Sequence, residues 1–199
     1  MIHQKPIVFD EQRKELSLLY LQNRYGITKS FPDIDPKIVV VHWTGFPQLE
    51  VSHSIMNDPT LSKSRTDIEI GGNLNVSAHY LIDRNGDIYS MLPDTIFARH
   101  VIGLNYYAIG IENVGNNKNP LTDDQLEANV QLITSLIKKY DIQYVIGHYE
   151  YKLFIDHPYW LEKDSSYLTE KIDPGVDFMQ KLRMRLKDFD IAGPPLPND

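Results

Sequence analysis

The sequence predicts a single α/β domain in which helices flank a central mixed β-sheet. Short β-branched runs, typical of strands buried on both faces, alternate with longer stretches in which apolar residues recur at helical spacing. No repeat or interior linker divides the 199 residues, a length that suits one well-formed core. We expect the main domain over 37–190. An N-terminal helix and connector over 1–36 precede it, and a proline-rich, poorly ordered tail over 191–199 follows.

The first predicted element is an amphipathic helix over 11–25. Leu16, Leu19 and Tyr20 mark its apolar face. Asp10 has the side chain of an N-cap, and Gly26 is a typical helix stop. We expect this helix to brace the main sheet.

Three apolar runs predict strands, and each ends in a residue that can carry chemistry. They cover 37–42, 108–112 and 144–148, and they end at His42, Glu112 and His148. Between the first two runs, 48–57 predicts a short helix. The polar stretch 57–75 predicts a long surface loop beside the site.

The other elements are a hairpin and two helices. Residues 78–82 and 88–91 flank Asn85-Gly86, which supplies the positive φ values of a tight turn. A capping box opens a helix over 122–140, and a last helix is expected over 176–188. Residues 149–170 are irregular and aromatic; they either pack over the core or form a stacking wall for sugars or peptide.

Composition excludes several classes of function. The net charge of −7 argues against a general nucleic-acid binder, which needs a basic face. No run of 18 apolar residues predicts a membrane span, and the first residues lack the apolar stretch of a secretory signal. Cysteine is absent, so metal ligands must be nitrogen or oxygen. The compartment stays open between the periplasm or cell envelope, which we favour slightly, and the cytoplasm.

The candidate metal ligands are His42, His148 and Asp173. Two imidazoles and one carboxylate are the ligand set of an open catalytic zinc site, where water takes the fourth position. Each residue also has an ordinary structural reading. A histidine at a strand end is often hydrogen-bonded in the core, and Asp173 before Pro174 can be a helix N-cap.

Four further residues complete the candidate site. Glu112 is hard to explain structurally, because a carboxylate closing an apolar run is desolvated unless something cationic faces it. Lys171 lies two residues before Asp173, on the same face of an extended segment. His79 and His100 are candidates for the wall of the groove.

The motifs together resemble the zinc-dependent N-acetylmuramoyl-L-alanine amidases, the superfamily of type 2 amidases and peptidoglycan recognition proteins. The resemblance covers about 38–187 and rests on the order of five motifs. They are His-Trp-Thr at 42–44, Ser-Ala-His-Tyr-Leu-Ile-Asp-Arg-Asn-Gly at 77–86, Asn105 through Glu112, Gly-His at 147–148 and Lys-Ile-Asp-Pro-Gly at 171–175.

The resemblance implies one zinc ion per chain, held by His42, His148 and Asp173. It also implies Glu112 as the catalytic base and Lys171 as oxyanion support. His100 and Asn105 match positions on the substrate side of the groove, where we also expect His79. Some relatives carry a tyrosine where this chain has Ala78, which favours Glu112 as the proton shuttle.

The implied activity is hydrolysis of the amide between N-acetylmuramic acid and L-alanine in peptidoglycan or muropeptides, by a monomer. Two alternatives stay open. The chain can be a non-catalytic peptidoglycan-binding module, or a zinc hydrolase acting on another amide or ester.

Overall fold

The computed structural model describes residues 1–195, and a mixed six-stranded sheet forms the centre of this part of the chain. The strands in chain order are β1 Ile2–Gln4, β2 Ile38–Trp43, β3 Tyr80–Ile82, β4 Ile88–Ser90, β5 Ala108–Asn113 and β6 Tyr144–Gly147. Their spatial order is β1-β4-β3-β5-β2-β6. The α-helices are α1 Glu11–Tyr20, α2 Leu49–Asn57, α3 Asp123–Lys139 and α4 Val176–Arg185. The predicted α/β fold with a mixed, helix-flanked sheet is confirmed.

The middle of the sheet is parallel. β2 lies between β5 and β6 and runs parallel to both, while β3 and β4 form an antiparallel hairpin. The register pairs His42 with Glu112 and Val41 with Gly147, the residue before His148. Because parallel strands end at the same sheet edge, these three side chains arrive together.

The side chains of β2 alternate between two core layers. Val39 and Val41 pack with residues of α3 and α4 on one face. Ile38 and Val40 pack on the other face with Tyr151. The two-residue period of a strand therefore explains why the whole run is apolar.

The aromatic segment packs over the core, as the simpler of its two readings predicts. Residues His148–Phe154 form a 3-10 helix directly after β6. Tyr151, Phe154 and Tyr167 are buried in the cluster beneath the sheet. Tyr151 and Phe154 are therefore not available as a stacking wall.

The N-terminal segment is part of the same packing unit. Ile2–Gln4, for which the sequence predicts no strand, pairs in parallel with β4 and extends the sheet. Asp10 caps α1 as predicted, accepting from the Arg13 amide at 2.9 Å. The helix continues as one π-helical turn, Leu21–Tyr25, and stops at Gly26 in the left-handed region.

The predicted apolar face of α1 was wrong in one position. Leu19 is 50% exposed, whereas Arg13, Ser17 and Tyr20 face inward. The cause is Arg13, whose guanidinium donates to the carbonyls of Val8, Met56, Asn57 and Asp58. These bonds tie α1 to the end of α2 and turn the helix away from its most apolar orientation.

The hairpin and the start of α3 form where they were predicted, but the turn of the hairpin differs from the predicted tight turn. Only Gly86 of the Asn-Gly pair has positive φ, and it closes a longer turn in which Gly86 donates to the Asp83 carbonyl. Thr122 and Gln125 exchange the two hydrogen bonds of a capping box at the start of α3.

The last helix and the residues that follow it differ from the prediction. α4 stops at Arg185, and its N-cap is Gly175, so the reading of Asp173 as an N-cap was wrong. Ala192 bridges to Tyr144 beside β6, so the tail is held to that point. Residues 196–199 of the expected tail lie outside the described residues. Within the described residues, none of the helices combines the length and apolarity that crossing a membrane requires.

We expect replacement of Arg13 by methionine to lower the free energy of unfolding by about 2–4 kcal/mol, because several buried carbonyls lose a charged donor. Urea denaturation of wild type and variant measures the difference. Lys14→Met is the matched control, since Lys14 pairs only with Glu11 at the surface and such pairs contribute little. Equal losses in the two variants would contradict this account of Arg13.

Candidate active site and metal centre

Three side chains from separate parts of the chain meet at the carboxyl edge of the sheet. His42 is carried by β2, His148 follows β6, and Asp173 lies in the turn before α4. His42 Nδ1 is 2.9 Å from His148 Nδ1, and His148 Nδ1 is 3.1 Å from Asp173 Oδ2. The third side of the triangle, His42 Nδ1 to Asp173 Oδ2, measures 3.4 Å.

This donor set fits a metal ion. Ligand atoms of tetrahedral zinc lie about 3.3 Å apart, given bonds of about 2.0–2.2 Å. The three atoms lie close to that separation, and all three residues are buried. Two imidazole nitrogens and a carboxylate oxygen close together, with the groove beside them, form the donor set that an open zinc site requires.

The electrostatics of the ligands favour their metal-binding forms. Burial and the neighbouring His148 lower the pKa of His42 to about 4, which keeps its imidazole neutral. Burial alone would raise the pKa of Asp173, but the adjacent imidazoles of His148 and His42 hold it well below its ordinary value. A neutral imidazole beside an ionised carboxylate is the state that coordinates a cation.

The pKa of Glu112 is raised, in contrast to that of Asp173. Its Oε2 is shielded from solvent and has no hydrogen-bond partner among the described residues. Desolvation, followed by repulsion from Asp173, raises its pKa to about 8, although Lys171 pulls it downward. The site thus contains a carboxyl group that can change its protonation near neutral pH.

A groove of about 230 Å³ opens over these residues. Glu112, Lys171 and the three candidate ligands line it together with His100 and Asn105. The rest of its wall mixes polar and apolar side chains, including Thr44, Phe46, Ile55, Arg65, Ile68, Val76, Ser77 and Thr169. The structure therefore brings seven of the eight sequence-predicted site residues to one cleft.

His79 is the exception, and its expected place in the groove is corrected. Its side chain is fully buried. Its Nε2 is 2.8 Å from the Ile96 carbonyl oxygen, and its Nδ1 accepts from the Gly110 amide at 3.0 Å. Both ring nitrogens are occupied by backbone, so His79 supports the sheet edge and does not contact the groove.

Asn105 and His100 lie at the groove but are already hydrogen-bonded within the protein. Asn105 Oδ1 accepts from the amides of His100 and Val101 at 2.9 and 2.8 Å, and its Nδ2 donates to the Tyr25 hydroxyl at 3.0 Å. His100 Nδ1 lies 3.0 Å from His42 Nε2. Asn105 therefore fixes the loop that carries His100, and His100 lies behind a candidate metal ligand.

Two arginines were missed by sequence reasoning. Arg65 lines the groove from the long loop beside α2. Arg99 is buried and donates to the carbonyls of Ile68, Gly72 and Leu74 and to the Tyr167 hydroxyl. A charged residue inside the apolar run before His100 was the available signal for Arg99. For Arg65, in a polar loop, the sequence contained none.

Comparison with known families identifies one match. A sequence profile of the family described as N-acetylmuramoyl-L-alanine amidase matches residues 32–176. No curated protein sequence matches the chain.

Solved structures of similar fold belong to amidases and related proteins. The N-acetylmuramoyl-L-alanine amidase LysC from Clostridium intestinale URNW superposes with a TM-score of 0.53 at 18% identity, covering 94% of this chain and 97% of that one. The AmpD derivative gives 0.56 at 20% identity, with 92% and 93% coverage. The Ph2119 endolysin from the Thermus scotoductus MAT2119 bacteriophage Ph2119 gives 0.52 at 21%, with 93% and 98% coverage. At these identities the likeness shows the fold.

The raised pKa of Glu112 predicts a specific dependence of stability on pH in the metal-free protein. The native state holds this proton up to about pH 8, whereas an unfolded glutamate releases it near its ordinary pKa of 4.5. The stability that the Glu112 carboxyl group contributes is therefore fully present at low pH, and it is lost as the pH rises from 4.5 to about 8.

Glu112→Gln cannot release a proton, so its stability relative to wild type should rise between pH 5 and pH 8, by at most about 4 kcal/mol. Denaturant unfolding of both proteins at several pH values measures this difference. Because the titrating histidines are common to both, their effects cancel. A difference that does not change with pH would contradict the raised pKa.

Proposed function

Because the chain belongs to the N-acetylmuramoyl-L-alanine amidase family, we propose that it is a zinc-dependent hydrolase of the amide between N-acetylmuramic acid and L-alanine in peptidoglycan or muropeptides. The observation that supports this most strongly is the convergence of His42, His148 and Asp173 beneath a groove that Glu112 also lines. We propose one zinc ion per chain, held by these three ligands in a monomer.

Amides resist hydrolysis because the carbonyl is weakly electrophilic and the amine leaves poorly. Bound zinc supplies an electrophile that polarises the carbonyl and lowers the pKa of water. The His42, His148 and Asp173 side chains place that charge at the floor of the groove. The protein's other residues must then move protons and stabilise the charge that develops on the substrate.

Glu112 is the group suited to proton transfer. As a carboxylate it takes the proton from the attacking water, and as an acid it gives that proton to the departing nitrogen. Its unpartnered Oε2 and its raised pKa suit a group that must do both near neutral pH. Proton transfer by a positioned side chain contributes about 10²–10⁴ in rate.

Lys171 is proposed to stabilise the oxyanion that forms on the amide oxygen. It lines the same groove and lies two residues before the ligand Asp173. A fixed positive charge beside the developing negative charge lowers the barrier, because it needs no reorganisation when the charge appears.

A non-catalytic peptidoglycan-binding module is the main alternative. The fold is shared with the peptidoglycan recognition protein PGRP-SA of the bumblebee, at a TM-score of 0.51 and 21% identity over 85% of this chain and 91% of that one. Binding alone does not require a complete ligand set or a proton-accepting carboxylate. The presence of both favours hydrolysis in this chain.

The chemical test is release of a free alanine amino group from purified muropeptide. We expect wild type to release it, chelation to abolish the release, and added zinc to restore it. Glu112→Gln should lose at least about 10²-fold in kcat while keeping its zinc. Muropeptide binding without release at full zinc occupancy would favour the binding module.

The same assay bears on substrate and compartment. Intact wall as the better substrate would fit the cell envelope, which we propose, whereas preference for soluble muropeptides would fit the cytoplasm. Release from neither, with turnover of a simple ester or another amide, would favour a different zinc hydrolase.

The ligand assignment predicts that His148→Ala loses stoichiometric zinc, because removing one of three protein ligands leaves an incomplete site. Elemental analysis of dialysed protein measures the zinc content. His157→Ala is the matched control: this histidine contacts Tyr144 and Tyr159 in an aromatic cluster and does not line the groove. Full zinc in the His148 variant would refute the assignment.

A further inference from the structure

A second imidazole stands behind His42, on the side away from the proposed metal. His42 Nε2 lies 3.0 Å from His100 Nδ1, and His100 Nε2 lies 3.2 Å from the Ala108 carbonyl oxygen. The two rings meet nearly at right angles, at 89°. The contacts form a chain from a backbone carbonyl through His100 to His42.

The acceptor at the end of this chain determines where each proton lies. A carbonyl oxygen only accepts, so His100 must carry its hydrogen on Nε2. With its hydrogen on Nε2, the neutral ring presents a lone pair on Nδ1, the atom that faces His42. His42 must then donate from Nε2. Its own lone pair therefore lies on Nδ1, the atom that faces His148 and Asp173.

The orientation of His100 is fixed by its surroundings. The ring lies against Gly110, where an added Cβ would be 2.7–2.8 Å from three ring atoms, so only glycine leaves room for it. The backbone of Gly110 is held in turn by His79, through one hydrogen bond from the Gly110 amide and one to the Gly110 carbonyl. Asn105 holds the backbone amide of His100.

We propose that His100 is a positioning residue that locks His42 in the tautomer with hydrogen on Nε2, and so keeps the Nδ1 lone pair directed at the metal site. The proposal rests on the proposed zinc site and deepens it. It assigns His100 to the protein side of His42 rather than to substrate recognition. His79, which does not border the groove, supports the same arrangement through Gly110.

The first test uses the metal-free wild-type protein and needs no substitution. Long-range ¹H–¹⁵N correlation spectra distinguish the two neutral tautomers of each histidine. We expect His42 and His100 both to carry hydrogen on Nε2 at neutral pH. Hydrogen on Nδ1 of either ring would overturn the proposal, whatever reaction the protein catalyses.

The second test measures zinc affinity by competition with a chelating dye. His100→Phe keeps a ring on Gly110 but offers no acceptor, so zinc should bind about 10–100-fold more weakly, as when a supporting partner of a ligand is lost. His100→Asn places a carbonyl oxygen near the position of Nδ1 and should recover most of that affinity. His157→Phe, in the distant aromatic cluster, is the control and should bind zinc as wild type does.

Gly110→Ala provides an independent route to the same effect. The added methyl group must displace the His100 ring, so we expect weaker zinc binding and a changed His42 tautomer although no ligand has been altered. Wild-type zinc affinity in both His100→Phe and Gly110→Ala, each shown to be folded by circular dichroism, would overturn the proposal.

These outcomes separate this inference from the proposed function. A protein with the expected tautomers and zinc affinities that releases no alanine would refute the amidase activity alone. A protein that releases alanine normally, but whose His42 carries hydrogen on Nδ1, would refute the role of His100 alone.

Discussion

The parallel pairing of β2 with β5 and β6 is the constraint on which the rest of the site depends. It sets His42 opposite Glu112 and brings the end of β6, and so His148, to the same edge. A slip of one residue would turn His42 to the other face of the sheet. The alternation of Val39 and Val41 with Ile38 and Val40 between two core layers prevents such a slip, because it would exchange the layers. Core packing therefore fixes the positions of His42, Glu112 and His148 relative to one another.

Around that edge, buried polar side chains hold irregular backbone in place. Arg13 donates hydrogen bonds to the end of α2, and Arg99 donates to carbonyls of the long loop between α2 and β3. Beside His100, Asn105 accepts from the amides of His100 and Val101, and His79 contacts the Ile96 carbonyl and accepts from the Gly110 amide. Loops lack a hydrogen-bond ladder of their own, and a buried carbonyl without a donor is costly. These residues supply the missing partners, and they also shape the walls of the groove.

The sequence predicted what depends on local pattern. The strands that bring His42, Glu112 and His148 to the sheet edge were predicted to within one residue at their ends, and the structure also has the predicted caps at Asp10 and Thr122 and the stop at Gly26. The prediction for His79 was wrong because the sequence does not distinguish a histidine whose ring nitrogens contact backbone groups from one that faces a groove. β1 was missed because a three-residue edge strand has too little pattern to recognise. Arg13 was missed because three of its four carbonyl partners lie more than 40 residues away.

The pKa values of the two carboxyl groups in the site are shifted in opposite directions, because the two groups have different surroundings. Asp173 lies against the imidazole of His148, which holds the pKa of Asp173 low and keeps its carboxyl group ionised. Glu112 is desolvated and repelled by the charge of Asp173, and its Oε2 has no donor within residues 1–195, so its pKa rises. When the surroundings shift the pKa values of two carboxyl groups in opposite directions, one stays ionised as a fixed charge and the other can carry protons.

A cation among His42, His148 and Asp173 would offset the repulsion from Asp173 and ease the ionisation of Glu112. Under the proposed function, occupancy of the metal site would therefore lower the proton affinity of Glu112 and favour the carboxylate form that accepts a proton from water.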